Sequence, residues 1–102
     1  MTSDRDALEV SVLKALCGSA ESSRLVAAVE FLRAYDWADA DRAVVFGAIR
    51  TCAERGAAVT HETLIGLVTR AGFPDVDLRE YFAPGHDATL EDAVEKLLAA
   101  RR

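Results

Sequence analysis

One long helix, with a clear capping residue at each end, constrains the fold of this chain more than any other feature. Asp39 can accept hydrogen bonds from the free N–H groups of a first helical turn, and Gly56 can take the left-handed conformation that ends a helix. At about 100° per residue, the apolar side chains between them share one face: Val45, Phe46, Ile49, Cys52 and Ala53. The sequence therefore predicts a helix over residues 40–55, and we expect it to be the most buried one.

The rest of the chain also favours helix over strand. It has only 2 prolines and 6 glycines in 102 residues, many alanines, and no strict alternation of apolar and polar residues. Apolar periodicity and capping residues place the other helices at about 4–17, 23–34, 60–71, 75–82 and 89–102. We predict an all-α fold, a compact orthogonal bundle of five or six short helices. It forms a single domain over residues 1–102, with a head at roughly 4–83 and a C-terminal helix at 89–102.

Two charged residues fall within apolar arcs. Glu9 lies between the apolar residues of the first helix, and Arg42 lies in the apolar arc of the helix over residues 40–55. Burying either charge alone is costly, and a paired, hydrogen-bonded geometry reduces that cost. The sequence therefore predicts a structural ion pair between Glu9 and Arg42, with the first helix crossing the N-terminal half of the other. The alternative is that each side chain reaches water at the edge of the core.

The charge balance argues against direct nucleic-acid binding. The formal net charge is −5, the pI is about 4.9, and the 12 lysines and arginines are spread along the chain. Duplex DNA repels such a chain, so a protein partner is expected instead. Cys17 and Cys52 have no metal-ligand spacing and are expected to be reduced, buried thiols. With no signal peptide and no apolar run long enough to span a membrane, a cytoplasmic location is expected.

No pattern of reactive residues is present. His61-Glu62 begins like a zinc-protease motif, but Ile65 stands where the second histidine is required, and His86 is the only other histidine. No glycine-rich nucleotide motif occurs, and the acidic run around Asp39 is better explained as a helix start. We therefore predict no catalytic, cofactor-binding or metal-binding residues. The sequence is typical of a binding module.

The order of these signals resembles the N-terminal domain of DnaB-type replicative DNA helicases. That domain opens with an E-x-x-V-L helix, continues with an aspartate-aromatic pair before an R-x-I-F-x-A-I helix, then has a glycine, a threonine-leucine helix start and a tyrosine-apolar pair. The matching residues, in chain order, are Glu9, Val12, Leu13, Asp36, Trp37, Arg42, Val45, Phe46, Ala48, Ile49, Gly56, Val59, Thr63, Leu64, Tyr81 and Phe82. The likeness covers roughly residues 7–82. Lys14 replaces the usual glycine after the V-L pair, and only one helix follows the head instead of a long hairpin.

The resemblance implies a non-catalytic scaffold. No helicase activity is expected without the ATPase domain, and the implied role is to self-associate and to dock primase or a helicase loader. The C-terminal helix carries an apolar stripe that could pack on its own core or on a second copy: Leu90, Val94, Leu97 and Leu98. Because the family dimerises through this region, the resemblance implies a homodimer or a higher oligomer.

Two other functions remain open from the sequence. The chain could be an acidic helical adaptor of a phage or plasmid type, with another partner. It could also be a nucleic-acid-binding domain in which the helices over residues 40–55 and 60–71 form a helix-turn-helix. The acidic balance weighs against the second function, since Arg70 is the only fixed cation on the later helix.

Overall fold

Five α-helices make up the fold in the computed structural model, which describes residues 4–18, 22–82 and 90–100. They are, in chain order, α1 (Asp4–Gly18), α2 (Ser22–Leu32), α3 (Ala40–Arg55), α4 (His61–Arg70) and α5 (Leu90–Ala100). A short 3-10 helix, Arg79–Phe82, precedes α5. These residues contain no strand, so the predicted all-α class is confirmed for the described part of the chain.

Capping residues set the bounds of α3 and α4. The Asp39 carboxylate accepts hydrogen bonds from the backbone N–H groups of Asp41 and Arg42, at 2.8 and 3.3 Å. Gly56 ends α3 with a φ of 67°, which glycine adopts without a steric penalty. The Thr60 hydroxyl accepts a hydrogen bond from the backbone N–H of Thr63 at 3.1 Å and so caps α4.

The centre of the core is α1, not α3. Six described side chains of α1 are buried, against five in α3. The reason is that α1 is covered from several sides, because it packs against α3, α5 and the 3-10 helix. The prediction that the helix over residues 40–55 is the most buried is therefore wrong, although its apolar face does enter the core as expected.

The end of α2 and the helix predicted over residues 75–82 differ from the prediction. α2 ends at Leu32, and a turn follows in which the N–H of Tyr35 donates to the carbonyl of Leu32 at 2.9 Å. The helix predicted over residues 75–82 is only the 3-10 helix. Asp77 accounts for this change, because its carboxylate accepts a hydrogen bond from the N–H of Arg79 at 3.0 Å and starts a turn there.

Aromatic side chains fill the corner between α2 and α3. The rings of Tyr35 and Trp37 meet edge to face with centroids 4.9 Å apart, and Trp37 lies 5.2 Å from Phe46 of α3. Tyr35 and Trp37 therefore pack together where the chain passes from α2 to α3. Tyr35 also finds a hydrogen-bond partner in Glu9, whereas the buried Trp37 Nε1 has none among the described residues.

Candidate protein-docking site

The ion pair predicted between Glu9 and Arg42 is present. Oε1 of Glu9 accepts a hydrogen bond from Nη1 of Arg42 at 2.7 Å, and the Glu9 side chain has no exposed surface. The other oxygen, Oε2, accepts from the hydroxyl of Tyr35 at 2.6 Å and from the backbone N–H of Ala38 at 3.0 Å. Both oxygens of this buried carboxylate are therefore satisfied, as a buried charge requires.

Arg42 joins this carboxylate to two more acidic residues nearer the surface. Its Nη1 donates to Asp6 Oδ1 at 2.9 Å, and its Nη2 lies 3.8 Å from Asp39 Oδ2. Burial lowers the pKa of Arg42, but the hydrogen bond to Asp6 and the charges of Glu9, Asp6 and Asp39 outweigh it and raise the pKa. This cluster fixes α1 against the start of α3, and every group in it has a structural partner.

A surface groove between α2 and α5 is the best candidate for binding, and we refer to it as the α2–α5 groove. Its volume is about 430 Å³. Side chains from both helices line it: Ser23, Arg24, Ala27, Ala28 and Phe31 from α2, and Leu90, Glu91, Val94, Glu95 and Leu98 from α5. Most of the lining is apolar, with charge confined to three side chains. Such a surface suits an apolar group of a partner.

The small residues of α2 explain why a groove forms here. Ala27 and Ala28 face α5 between Arg24 and Phe31, and their methyl groups do not fill the space between the two helices. On the other wall, Val94 and Leu98 supply larger apolar side chains. The lining residues recur at the same spacing on both helices, so the groove follows the two helix axes.

Phe31 gives the groove an exposed aromatic anchor. Its side chain is 71% exposed, more than Val26 at 44% and Ile65 at 43%, which are the other exposed large hydrophobic residues of the described chain. Of these three, only Phe31 lines the groove. An aromatic ring left in water beside an apolar groove is a feature of protein-binding surfaces, where aromatic anchors are enriched.

Charged residues mark one end of the groove. Arg24 Nε lies 3.6 Å from Glu91 Oε1, an exposed ion pair that joins the first turns of α2 and α5. Glu95 stands on the α5 rim one turn later, and it has no ion pair with a residue that the structure describes. The far end of the groove lies between Phe31 and Leu98.

The four residues predicted on the C-terminal helix do not form one exposed stripe. Leu97 is fully buried, and Leu90 and Val94 are buried in the chain's own core. Only Leu98 keeps partial exposure. Of the two alternatives for this stripe, packing on the chain's own core is therefore the one present for Leu90, Val94 and Leu97, because α5 packs against α1 and α2 of the same chain. Leu90, Val94 and Leu98 still contribute to the groove wall.

Sequence reasoning missed Phe31 and the role of α2. The apolar arc of α2 consists of residues that are all buried: Leu25, Ala28, Val29 and Leu32. Phe31 falls about 100° to the side of that arc. The available signal was a phenylalanine outside the apolar arc of an amphipathic helix. The groove also requires α5 beside α2, and no local sequence pattern indicates that long-range contact.

A second depression lies between α3 and α4, with a volume of about 260 Å³. Its lining mixes charged, hydroxyl and apolar residues: Thr51, Cys52, Arg55, Ala57, Glu62, Thr63, Gly66, Leu67 and Arg70. Both arginines also lie in the last turn of their helices, where a cation is favoured by the helix dipole. The position of these two arginines is therefore consistent with a structural role at the helix ends.

The cysteines and the histidine that the structure describes have structural positions. Cys17 and Cys52 are free and buried, and burial raises the pKa of both thiols, that of Cys17 to about 12. The ring of His61 packs edge to face on Phe82 with centroids 5.6 Å apart, and His86 lies outside the described residues. Across residues 4–18, 22–82 and 90–100, no group of three or more acidic, histidine or cysteine side chains could hold a metal ion.

None of the helices described is both long enough and apolar enough to cross a membrane. Comparison with protein-family models, with curated proteins and with solved structures gives no significant match to this chain.

Proposed function

We propose that this chain is a non-catalytic protein-interaction module that receives an amphipathic helix of a partner protein in the α2–α5 groove. The observation that carries the proposal is the exposed Phe31 ring beside an apolar groove of about 430 Å³. Burying this ring and the groove wall releases water from apolar surface, which is the main driving force of such association.

The shape of the groove supports a helix as the occupant. Its walls are two helix faces whose lining residues recur every four positions, from Arg24 to Ala28 on α2 and from Leu90 to Leu98 on α5. A third helix along the groove would present apolar side chains at i, i+3 or i+4, and i+7, which is the usual pattern of helix-in-groove recognition. It would complete a layer of three packed helices.

Primase and the helicase loader are the partner classes that we propose, with a cytoplasmic role in DNA replication. Support for them comes from the resemblance of residues 7–82 to the N-terminal domain of replicative helicases. An acidic adaptor with another partner would use the same groove. Direct nucleic-acid binding through α3 and α4 is disfavoured by the net charge of −5.

A second copy of the chain is the rival occupant. Phe31 stands beside its own groove, so two copies related by a two-fold axis could exchange this ring between their grooves. The self-association implied by the resemblance would then run through α2 as well as α5. The measured mass in solution distinguishes this dimer from a monomer that binds a partner helix.

Binding assays with single surface variants test the proposal. Purified primase, loader and helicase are titrated against the wild-type chain, Phe31→Ser and Ile65→Ser. The matched control is Ile65→Ser, which removes an exposed apolar side chain from α4, outside the groove lining. We expect Phe31→Ser to weaken binding about tenfold or more and Ile65→Ser to leave it unchanged. Equal binding by the wild-type chain and both variants would show that the groove is not the binding site. If neither primase, loader nor helicase binds the wild-type chain, the proposed partner class is wrong.

A further inference from the structure

We infer that the partner helix inserts one aromatic side chain, tryptophan or phenylalanine, into a socket of the α2–α5 groove above Ala27 and Ala28. This inference rests on the proposed function, and it names the chemical type of the partner's anchor and the residue that selects it. It depends on how the two walls of the groove are matched and on where α2 leaves space between them.

The two walls of the groove are matched turn by turn. Arg24 Nε lies 3.6 Å from Glu91 Oε1, so the first turns of α2 and α5 are side by side. Phe31 and Leu98 lie two turns further on in each helix, and both line the same groove. The two helices therefore run in the same direction, and the middle of the groove lies between these two pairs.

The middle of the groove is where α2 leaves space. Ala27 and Ala28 are the α2 residues there, and Val94 lines the facing wall. Ala28 and Val94 are buried and form the floor, whereas Ala27 is exposed at the rim. Larger side chains stand one turn before Ala27, at Arg24, and one turn after it, at Phe31. These five residues form a socket with an apolar floor, which we call the Ala27 socket.

The volume of the groove suits an aromatic ring. An apolar cavity of about 150 Å³ holds one benzene molecule, and the groove offers about 430 Å³. A tryptophan or phenylalanine side chain fills more of this space than leucine or alanine does. Each additional contact with the lining adds dispersion energy, and many such contacts together are large.

Phe31 gives a second reason for an aromatic anchor. Its ring is 71% exposed. Helical side chains tilt toward the N-terminus of their helix, so this ring leans toward Ala27, four residues earlier. Aromatic rings attract each other edge to face at centroid separations of about 4.5–7 Å. A partner ring in the Ala27 socket would therefore contact Phe31 as well as the aliphatic floor.

The size of the surface favours a single helix over a second copy. A stable homodimer buries on the order of 800 Å² on each partner. The groove extends over only two turns of each wall, and Phe31 is the only highly exposed large hydrophobic residue that lines it in the described part of the chain. One helix with one aromatic anchor covers a surface of this size.

A displayed library of amphipathic helices tests the inference. Each position of a leucine stripe is varied in turn among Trp, Phe, Leu and Ala. The library is selected on the full wild-type chain, with counter-selection on Phe31→Ser. We expect tryptophan or phenylalanine to be enriched at one position of the stripe. The selected peptide should bind the wild-type chain about two- to tenfold more tightly than the same peptide with leucine at that position.

Ala27→Leu tests the socket itself. Leucine is a good helix former and the position is exposed, so the circular dichroism spectrum should not change. Binding of the aromatic peptide should weaken about tenfold or more, because the ring no longer fits, and selection on this variant should enrich smaller side chains instead. The matched control is Ala99→Leu, which adds the same side chain at an exposed position of α5 outside the groove lining and should leave binding unchanged.

The position of the ring is measured on the same complex. The ring current of the aromatic peptide should shift the methyl resonances of Ala28 and Val94 more than binding of the leucine peptide does. Ring-current shifts confined to Leu98 would place the ring outside the Ala27 socket and overturn the inference.

The outcomes separate the inference from the proposed function. No preference for an aromatic side chain, or a preference that persists on Ala27→Leu, overturns the socket and leaves the groove as a docking site. No enrichment over the Phe31→Ser counter-selection overturns both. A wild-type chain that is a dimer in light scattering, and a monomer after Phe31→Ser, identifies a second copy as the occupant and overturns the partner helix.

Discussion

The Oε1 atom of Glu9 lies 2.7 Å from Nη1 of Arg42, and the two residues are 33 positions apart in the chain. Glu9 has no exposed side-chain surface, while Arg42 is 15% exposed. The pair therefore reaches from the core to its edge, where Asp6 and Asp39 also contact the guanidinium. This geometry ties the direction of α1 to the first turn of α3.

Removal of the arginine tests how strongly Glu9 depends on it. Arg42→Ala removes the ion-pair partner of the fully buried Glu9 carboxylate, whose Oε2 still accepts hydrogen bonds from Tyr35 and Ala38. We expect a loss of about 3–5 kcal/mol in the free energy of unfolding, because a buried charge without its partner is costly. Urea unfolding at pH 7 measures the loss.

The control for this variant is Asp6→Asn. Asp6 is 33% exposed and contacts the same guanidinium, so its removal should cost less than about 1 kcal/mol. Equal losses in both variants would mean that burial of Glu9 does not determine the energetics of the cluster.

Local chemistry made the helix ends of α3 and α4 predictable. Asp39, Gly56 and Thr60 act on backbone groups within three residues of themselves, so their roles can be inferred from the sequence. The Glu9–Arg42 pair was also predictable, because pairing lowers the cost of burying two opposite charges on apolar faces. The role of Tyr35 was not, since its hydroxyl meets Glu9 across 26 residues and no periodic pattern encodes that contact.

Neither the burial of residues in irregular segments nor the spaces between helices could be predicted from the sequence. Leu78 is almost fully buried, but it lies before a 3-10 helix in a stretch without helical periodicity. The α2–α5 groove depends on how closely Ala27 and Ala28 approach α5, and this distance is set by the packing of α2 on α3 and of α5 on α1. Such features follow from tertiary packing and not from the order of residues in one element.

Two phenylalanines allow a matched test of burial. Phe46 is buried in α3 against Trp37, whereas Phe31 is mostly exposed on α2. We expect Phe46→Ala to lower the free energy of unfolding by about 3–5 kcal/mol. Phe31→Ala should change it by less than about 0.5 kcal/mol, because its ring is already in water. Chemical denaturation of both variants measures the difference, and a loss below about 1 kcal/mol for Phe46→Ala would place α3 at the periphery of the core.

The neighbouring leucines of α5 separate its core face from its groove face. Leu97 is fully buried and Leu98 is partly exposed. Leu97→Ala should cost about 2–5 kcal/mol, and Leu98→Ala should cost about 1 kcal/mol or less while weakening partner binding. Thermal unfolding and the binding assay are measured on the same preparations. If Leu98→Ala proved the more destabilising change, the assignment of Leu97 to the core would be wrong.

Truncation of the C-terminal helix should unfold the chain. Removal of residues 88–102 takes away Leu90, Ala93, Val94 and Leu97, all of which are buried in the core. We expect the truncated chain to lose its cooperative unfolding transition and most of its helical circular dichroism. A truncated chain that remains folded would show that α5 is an appendage, and its surface would then be free for a second copy.

The buried thiols predict a specific dependence of stability on pH. Burial raises the pKa of Cys17 to about 12 from an ordinary value of 9.0. Below pH 9 the thiol is protonated in both the folded and the unfolded chain, so it contributes no slope. Between pH 9 and 12 the unfolded chain releases this proton while the folded chain retains it, so the free energy of unfolding should fall as the pH rises. Cys17→Ala should show a shallower fall over the same range, whereas identical slopes would mean that Cys17 is not protected by burial. A thiol reagent gives the independent measurement: the raised pKa and the burial of Cys17 keep it protonated and covered at pH 8, so labelling should be slow until denaturant is added.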